Sequence, residues 1–296
     1  MQERVRLRAA PVVAGLVLLL IAAAVHLKIT SRPIEEARKF RRWSRPRLPV
    51  HPPDPRLTPD HPQWREAMEA VEDLRVYFSD PARNERPAEY DRALSRLGRV
   101  DVGMLHALEM LALDENESPE VRGAIIEIIS RHHEEAVRQF LAGLLADPRE
   151  HEYVRSKTLD PLGAYEGEPT FRVFRELYDL EPDFPHRHRL LRNIAKTRSP
   201  NAVSVLLGAL EDGNALEVRC AAAQSLEAYL DRPGVRERLF RIARGGDPVP
   251  LRRNAIAALA STPGGGVDEL LRRLADSPEE PEEIRRTARS WLELRR

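Results

Sequence analysis

Val218-Arg219-Cys220-Ala221-Ala222-Ala223-Gln224-Ser225-Leu226 and Leu251-Arg252-Arg253-Asn254-Ala255-Ile256-Ala257-Ala258-Leu259 are two copies of one pattern, set 33 residues apart. Each opens on an apolar residue and an arginine, with alanine four positions on and leucine eight positions on. Related copies start at Val121-Arg122, Val154-Arg155, His186-Arg187 and Ile284-Arg285, so the spacings along the chain are 33, 32, 32, 33 and 33. Every second position is arginine, and His186 is the one first position that is not apolar. Position +4 reads Ile125, Thr158, Leu190, Ala222, Ala255 and Ala288; position +8 reads Ile129, Leu162, Ile194, Leu226, Leu259 and Leu292. A recurrence at 0, +4 and +8 is one face of an α-helix.

A second amphipathic helix precedes each of these. Its apolar positions are seen in Met104-Leu105-Leu108-Leu111, Val137-Phe140-Leu141-Leu144, Val203-Leu206-Leu207-Leu210, Leu239-Phe240-Ile242-Ala243 and Val267-Leu270-Leu271-Leu274. An aspartate lies in or near every joint: Asp114, Asp147, Asp179, Asp212, Asp247 and Asp276. Its carboxylate can accept backbone N–H bonds and cap the helix that follows. Two helices per 32–33 residues, with no strand signal, predict an all-α solenoid whose units bury their faces only by stacking.

The pattern Asp…(Val/Leu/Ile)-Arg-x-x-Ala-x-x-x-Leu across residues 101–296 resembles HEAT repeats, especially the short bacterial and phycobilisome-lyase-like type. The resemblance implies a right-handed α-α superhelix of about six repeats, with the second (B) helices on the concave side. It also implies an inter-repeat ladder. Arg122, Arg155, Arg187, Arg219, Arg252 and Arg285 would then be structural, paired with the six aspartates. Departures stand in the second repeat, where Asp160-Pro161 predicts a kinked B helix, and in the third, where His186 replaces the apolar residue. Either marks a local bend or a recognition site. Residues 63–100 hold two more amphipathic helices, Trp64-Met68-Val71-Leu74-Phe78 and Tyr90-Ala93-Leu94-Leu97, without the arginine. They fit a capping pair over the first repeat, and Trp291, Leu292 and Leu294 are expected to close the other end.

The 296 residues carry 47 basic and 47 acidic side chains, but the balance is uneven along the chain. Residues 1–61 hold 12 Lys/Arg against 5 Asp/Glu, and residues 62–296 hold 35 against 42. The large part is net acidic and lacks the basic footprint of a nucleic-acid-binding domain, so no nucleic acid is expected. One cysteine, Cys220, excludes a disulfide framework. Only four basic residues are lysine, so an arginine patch carries less meaning here than in most chains.

After an eight-residue tail, Ala9 to Leu27 is a run of 19 residues without Asp, Glu, Lys or Arg, closed by Arg8 and Lys28. As a helix it covers about 28 Å, close to the thickness of a bilayer core. The run is read as a single-pass membrane anchor, the alternative being a signal peptide with Arg4, Arg6 and Arg8 before it and Ala22-Ala23-Ala24 as its cleavage region. A bacterial inner membrane is the expected location. The side is open: eight Lys/Arg within residues 28–47 favour a cytoplasmic C-terminal part, whereas the short tail favours the opposite orientation. Residues 28–62 then form a linker, basic at first and holding seven prolines in 44–62. Its proline-rich part is expected to be a stiff polyproline spacer.

Signatures of catalysis are missing. Gly264-Gly265-Gly266 has no lysine after it, and no Gly-x-Ser-x-Gly elbow or His-Glu-x-x-His helix occurs. His133-Glu134 and His151-Glu152 take different positions in the repeat, unlike the four His-Glu motifs that hold two irons in the HEAT-like deoxyhypusine hydroxylases. No metal or other cofactor is expected. The B-helix positions +2, +6 and +9 point away from the core and give Ser156, Asp160, His188, Arg192, Cys220, Gln224 and Arg253, with Lys157 and Arg189 beside them. Lys157, His188, Arg189, Arg192, Lys196 and Arg253 are therefore the candidate partner-binding residues. They form either a docking patch for an acidic protein segment or a solvated surface. The sequence is read as a membrane-tethered, non-catalytic scaffold for protein partners. The rival is a lyase-like accessory enzyme with a small ligand in the groove, and a structural envelope component is the third reading.

Overall fold

The computed structural model describes residues 49–180, 186–211, 213–262, 264 and 266–295. The expected anchor at 9–27 and most of the basic linker lie outside the described residues, as does Asp212. Among the described residues there is no strand, and no helix is long and apolar enough to cross a membrane.

Fourteen α-helices follow one another in this region. The first two, α1 (Pro62–Ser79) and α2 (Pro87–Leu97), pack as a pair ahead of the repeats. Six further pairs follow: α3 (Leu105–Leu113) with α4 (Pro119–Ile129), α5 (Glu135–Ala146) with α6 (Glu152–Leu162), and α7 (Glu168–Leu180) with α8 (Arg187–Lys196). Then come α9 (Ala202–Ala209) with α10 (Leu216–Ser225), α11 (Val235–Arg244) with α12 (Val249–Ala260), and α13 (Val267–Asp276) with α14 (Glu282–Leu294). Each B helix also packs on the B helix of the next pair, so the architecture is a stack of helical hairpins consistent with an α-solenoid.

Local chemistry sets the helix ends. Ser118 accepts the Val121 N–H at 3.2 Å with Pro119 in the first turn of α4, the two residue types best suited to a helix start. Gly234 and Gly266 precede α11 and α13 with φ of 79° and 76°, a left-handed backbone that favours glycine. Pro161 does not break α6, which runs through it. It sits one residue before the helix ends at Leu162, where the hydrogen bond it cannot donate is one of the last the helix would make.

The 0, +4 and +8 face is buried at every position except His186 and Leu292, which are half-buried. One continuous apolar core therefore runs from Ala67 to Ala288. The far end is less closed than expected: Leu294 is 77% exposed, and only Trp291 and Leu292 pack against the core.

The repeated arginine does two things at once. Its guanidinium reaches back to a carbonyl at or next to the end of its own repeat's first helix: Arg122 to Ala112 O at 2.8 Å, Arg155 to Leu145 O at 2.9 Å, and Arg187 to Tyr178 O at 2.8 Å. Arg219 and Arg252 do the same to Leu210 O and Ala243 O, each at 3.1 Å. Such terminal carbonyls have no partner within their helix. The same guanidinium reaches forward to an acid 28 residues on. Arg122 meets Glu150 at 2.6 Å, Arg219 meets Asp247 at 2.7 Å and Arg252 meets Glu280 at 2.6 Å.

Among the expected aspartates, Asp247 pairs with a ladder arginine, and that arginine, Arg219, belongs to the preceding repeat. Asp114 holds Asn116, Asp147 holds Arg149, Asp179 holds Arg175, and Asp276 is exposed. These sit too close to the helix end to span a repeat; the forward acid lies three residues further on at Glu150. The first cap contributes as well, since Arg75 of α1 meets Glu117 at 2.7 Å. Ala215 stands where the fourth repeat would carry an acid, and Arg187 lies over the Tyr178 ring at 3.9 Å. Arg285 turns to Glu282 on its own helix.

The end of the proline-rich segment is docked rather than a free spacer. Val50 N–H and His51 N–H both donate to Glu109 Oε2, at 2.7 and 3.0 Å, and His51 Nδ1 lies 2.7 Å from Glu109 Oε1. A carboxylate only accepts, so that ring nitrogen carries the proton. His106 Nδ1 in turn donates to His51 O at 2.7 Å. Glu109 is fully buried beneath this strap, and Leu57 packs on the core. Extended proline-rich backbone makes no internal hydrogen bonds, so its N–H groups are free to take such a partner.

Two outcomes test these contacts. Arg122→Ala removes the guanidinium from the buried Glu150 and should lower stability by about 3–5 kcal/mol, whereas the half-exposed Arg285→Ala should cost less than about 1 kcal/mol; urea unfolding followed by circular dichroism measures both. Glu109→Ala should strip protection from the Val50 and His51 amides in hydrogen exchange and leave α9 to α12 unchanged. Its destabilisation should be about 1–3 kcal/mol, as for donors left unpaired.

Candidate functional site

The middle B helices turn their +6 side chains, Asp160, Arg192 and Gln224, to solvent. At +2, Ser156, His188 and Cys220 are half-buried and Arg253 is exposed. The +9 positions divide: Gly163, Ala195 and Ala260 are buried, whereas Glu227 is exposed. The next B helix covers the first two. A Cβ on Gly163 would collide with Asn193 Oδ1, and the Tyr229 hydroxyl, in the turn after α10, donates to Ala195 O at 3.0 Å.

The six basic residues singled out in the sequence separate into two groups. On the first side, a pocket of about 310 Å³ lies among Gly123, Ser156, Lys157, Asp160 and Arg189. Arg189 is spent inside it, donating to Asp160 Oδ2 at 2.7 Å and to Ser156 O at 3.2 Å. Asn193 Nδ2 donates to the other Asp160 oxygen at 3.0 Å. Burial alone would raise the Asp160 carboxyl, but the hydrogen bonds from Asn193 and Arg189 outweigh it and hold the group below the usual carboxylate range. Lys157 lies 5.4 Å over the Tyr153 ring. His188 is pushed down by burial and by the charge of Arg192, so it is neutral at pH 7. Arg253 faces Glu283 at 3.9 Å.

Arg192 and Lys196 form the second group. Both are exposed on α8, and among the described residues neither makes an ion pair. They line a recess of about 750 Å³ between the C-terminal ends of three successive B helices. α8 contributes Arg192, Ala195 and Lys196; α10 and the 3₁₀ turn after it (Leu226–Tyr229) contribute Gln224, Ser225, Glu227, Ala228 and Tyr229; Ser261 and Thr262 follow α12. Arg198, Asp231 and Arg232 complete the rim. Ser225 is 8% exposed, and its hydroxyl is buried without a hydrogen-bond partner.

Sequence reasoning reached Arg192, Lys196 and Gln224 through the +6 column and its neighbours. It missed Ser225, Tyr229 and Arg232, because the last two lie beyond the +9 position, the last to which the repeat pattern assigns a face. A polar residue in the alanine run at Ser225 was the available signal. Elsewhere on this face, burial raises the Cys220 thiol, against a hydrogen bond from Asn254. Among the described residues, no three of His, Cys, Asp and Glu come together as metal ligands.

The Asp160 cluster gives a pH-dependent prediction. A carboxyl whose pKa is lowered on folding contributes stability above its unfolded value, and loses that contribution as the pH falls through the folded one. Asp160→Asn should therefore lower the urea midpoint at pH 7, and the gap should close below the unfolded value near 3.8. Asp160 and Arg189 are 57% and 28% exposed, so the effect should stay under about 1 kcal/mol.

No curated protein matches the chain. The family model described as HEAT repeats matches residues 171–260, from within α7 to the end of α12, which supports a HEAT-repeat protein and covers the three hairpins that build the larger recess.

Proposed function

We propose that this chain is a membrane-tethered scaffold that binds protein partners through the exposed face of its B helices, and that it carries out no catalysis itself. The observation behind this reading is the contrast on one face of a rigid stack. Arg122, Arg219 and Arg252 are buried and held from both sides, whereas Arg192, Lys196 and Gln224 stand exposed with no partner among the described residues. HEAT repeats commonly mediate protein–protein interactions, and a stack of hairpins offers an extended surface for that purpose. The tether is the uncharged run at 9–27, which has the length of a bilayer-spanning helix.

Site-specific photo-crosslinking in native membranes tests the reading. A photoreactive residue at Gln224 should trap a discrete protein adduct, and one at the exposed Arg241 on α11 should not. Equal labelling at both positions, or none at either, overturns the scaffold reading. A tight, saturable rise in melting temperature with a small metabolite would instead support a lyase-like enzyme.

A further inference from the structure

We infer that the recess at the ends of α8, α10 and α12 takes an extended acidic peptide segment of the partner, recognised through two carboxylates in an acid-x-acid arrangement. The inference rests on the B-helix face being a binding surface and names what that surface selects.

Charge defines the ligand first. Two of the four cations on the rim already have acids beside them: Arg198 meets Glu166 at 3.2 Å, and Arg232 lies 3.8 Å from Asp231. Arg192 and Lys196 make no ion pair among the described residues, and both stand on the α8 wall. The acids of the lining, Glu227 and Asp231, come from the 3₁₀ turn and the residues after it. The recess is thus polarised, with its unengaged positive charge on one side.

Spacing defines it next. Residues four apart on a helix lie one turn apart, with Cβ atoms about 6 Å from each other. In an extended peptide, side chains two residues apart share a face and lie about 6.7 Å apart. Two carboxylates separated by one residue therefore match Arg192 and Lys196, one to each. Ser225 supplies a hydroxyl that has no partner inside the protein and can donate to a carboxylate or backbone carbonyl. Ala195, Ala228 and the Tyr229 ring give the peptide an apolar floor. A protein segment fits better than a nucleic acid, because residues 62–296 carry 35 basic against 42 acidic side chains and would repel a polyanion beyond this local patch.

Fluorescence anisotropy with the full-length chain in nanodiscs tests the assignment. The probe is a labelled ten-residue peptide with a central Glu-Ser-Glu in a Ser/Gly context, compared with its Gln-Ser-Gln counterpart. The acidic peptide should bind at least ten-fold more tightly and weaken as salt is raised. Arg192→Gln/Lys196→Gln should remove that preference without moving the melting temperature, and Ser225→Ala should weaken binding several-fold. Arg241→Gln/Arg272→Gln removes two exposed arginines elsewhere and should bind as the wild type does. Absence of binding, no preference between the peptides, or an equal loss in the Arg241/Arg272 control overturns the inference. A single-stranded oligonucleotide of equal length that binds as tightly overturns the peptide assignment. If Gln224 crosslinks a partner while the acidic peptide is ignored, the scaffold reading stands and this one falls.

Discussion

The guanidinium at the second position of the B helices, buried at Arg122, Arg155, Arg219 and Arg252, is the constraint on which the stack depends. A solenoid hairpin has two weaknesses: its first helix ends in carbonyls with no intrahelical partner, and its packing face is complete only when a neighbour covers it. Arg122, Arg219 and Arg252 address both, with one hydrogen bond to the end of the first helix and one ion pair to the next repeat. Arginine suits the task because its planar fork has donors for two partners and stays charged when buried. The geometry also makes each junction directional. Arg285 bonds within its own helix and, among the described residues, leaves Nε without a partner.

That directionality explains how much of the fold was legible in the sequence. The arginine column was visible because it is invariant in type and nearly invariant in spacing. The 0, +4, +8 face was equally visible, since periodicity and burial are the same physical fact seen twice. The acids were harder to place. Asp114 and Asp147 are regular in sequence yet serve their own turns, while the forward acid alternates between Glu and Asp and is replaced by Ala215 in the fourth repeat. An ion pair needs charge and reach rather than residue identity, so this column is weaker in sequence than in space. The strap was hidden for another reason. Glu109 is the sole acid in the run Leu105-His106-Ala107-Leu108-Glu109-Met110-Leu111. Its partners are mostly backbone N–H groups, which any sequence supplies.

The strap changes what a tether can do. A polyproline spacer would hold the solenoid at a distance and leave its orientation undetermined. With residues 50 and 51 bonded to a buried carboxylate on α3, the chain joins the solenoid at a defined place beside the first repeat. Between the end of the uncharged run at Leu27 and this fixed point lie about two dozen residues rather than the whole linker.

In a chain this rich in arginine, the residue type says little about function; partnership says more. Arg122, Arg155, Arg219 and Arg252 are each less than 10% exposed and bonded to backbone carbonyls, and Arg189 is neutralised by Asp160. Those groups have exchanged water for fixed partners, so a ligand could recruit them only by breaking contacts that support the fold. Arg192 and Lys196 have made no such exchange. They stand on α8, beside the α6–α8 junction that is the sparsest between successive B helices and near the third repeat, where His186 interrupts the apolar column. Where repeat packing is least regular, a cation can stay exposed without weakening the ladder, and that freedom is what a binding surface requires.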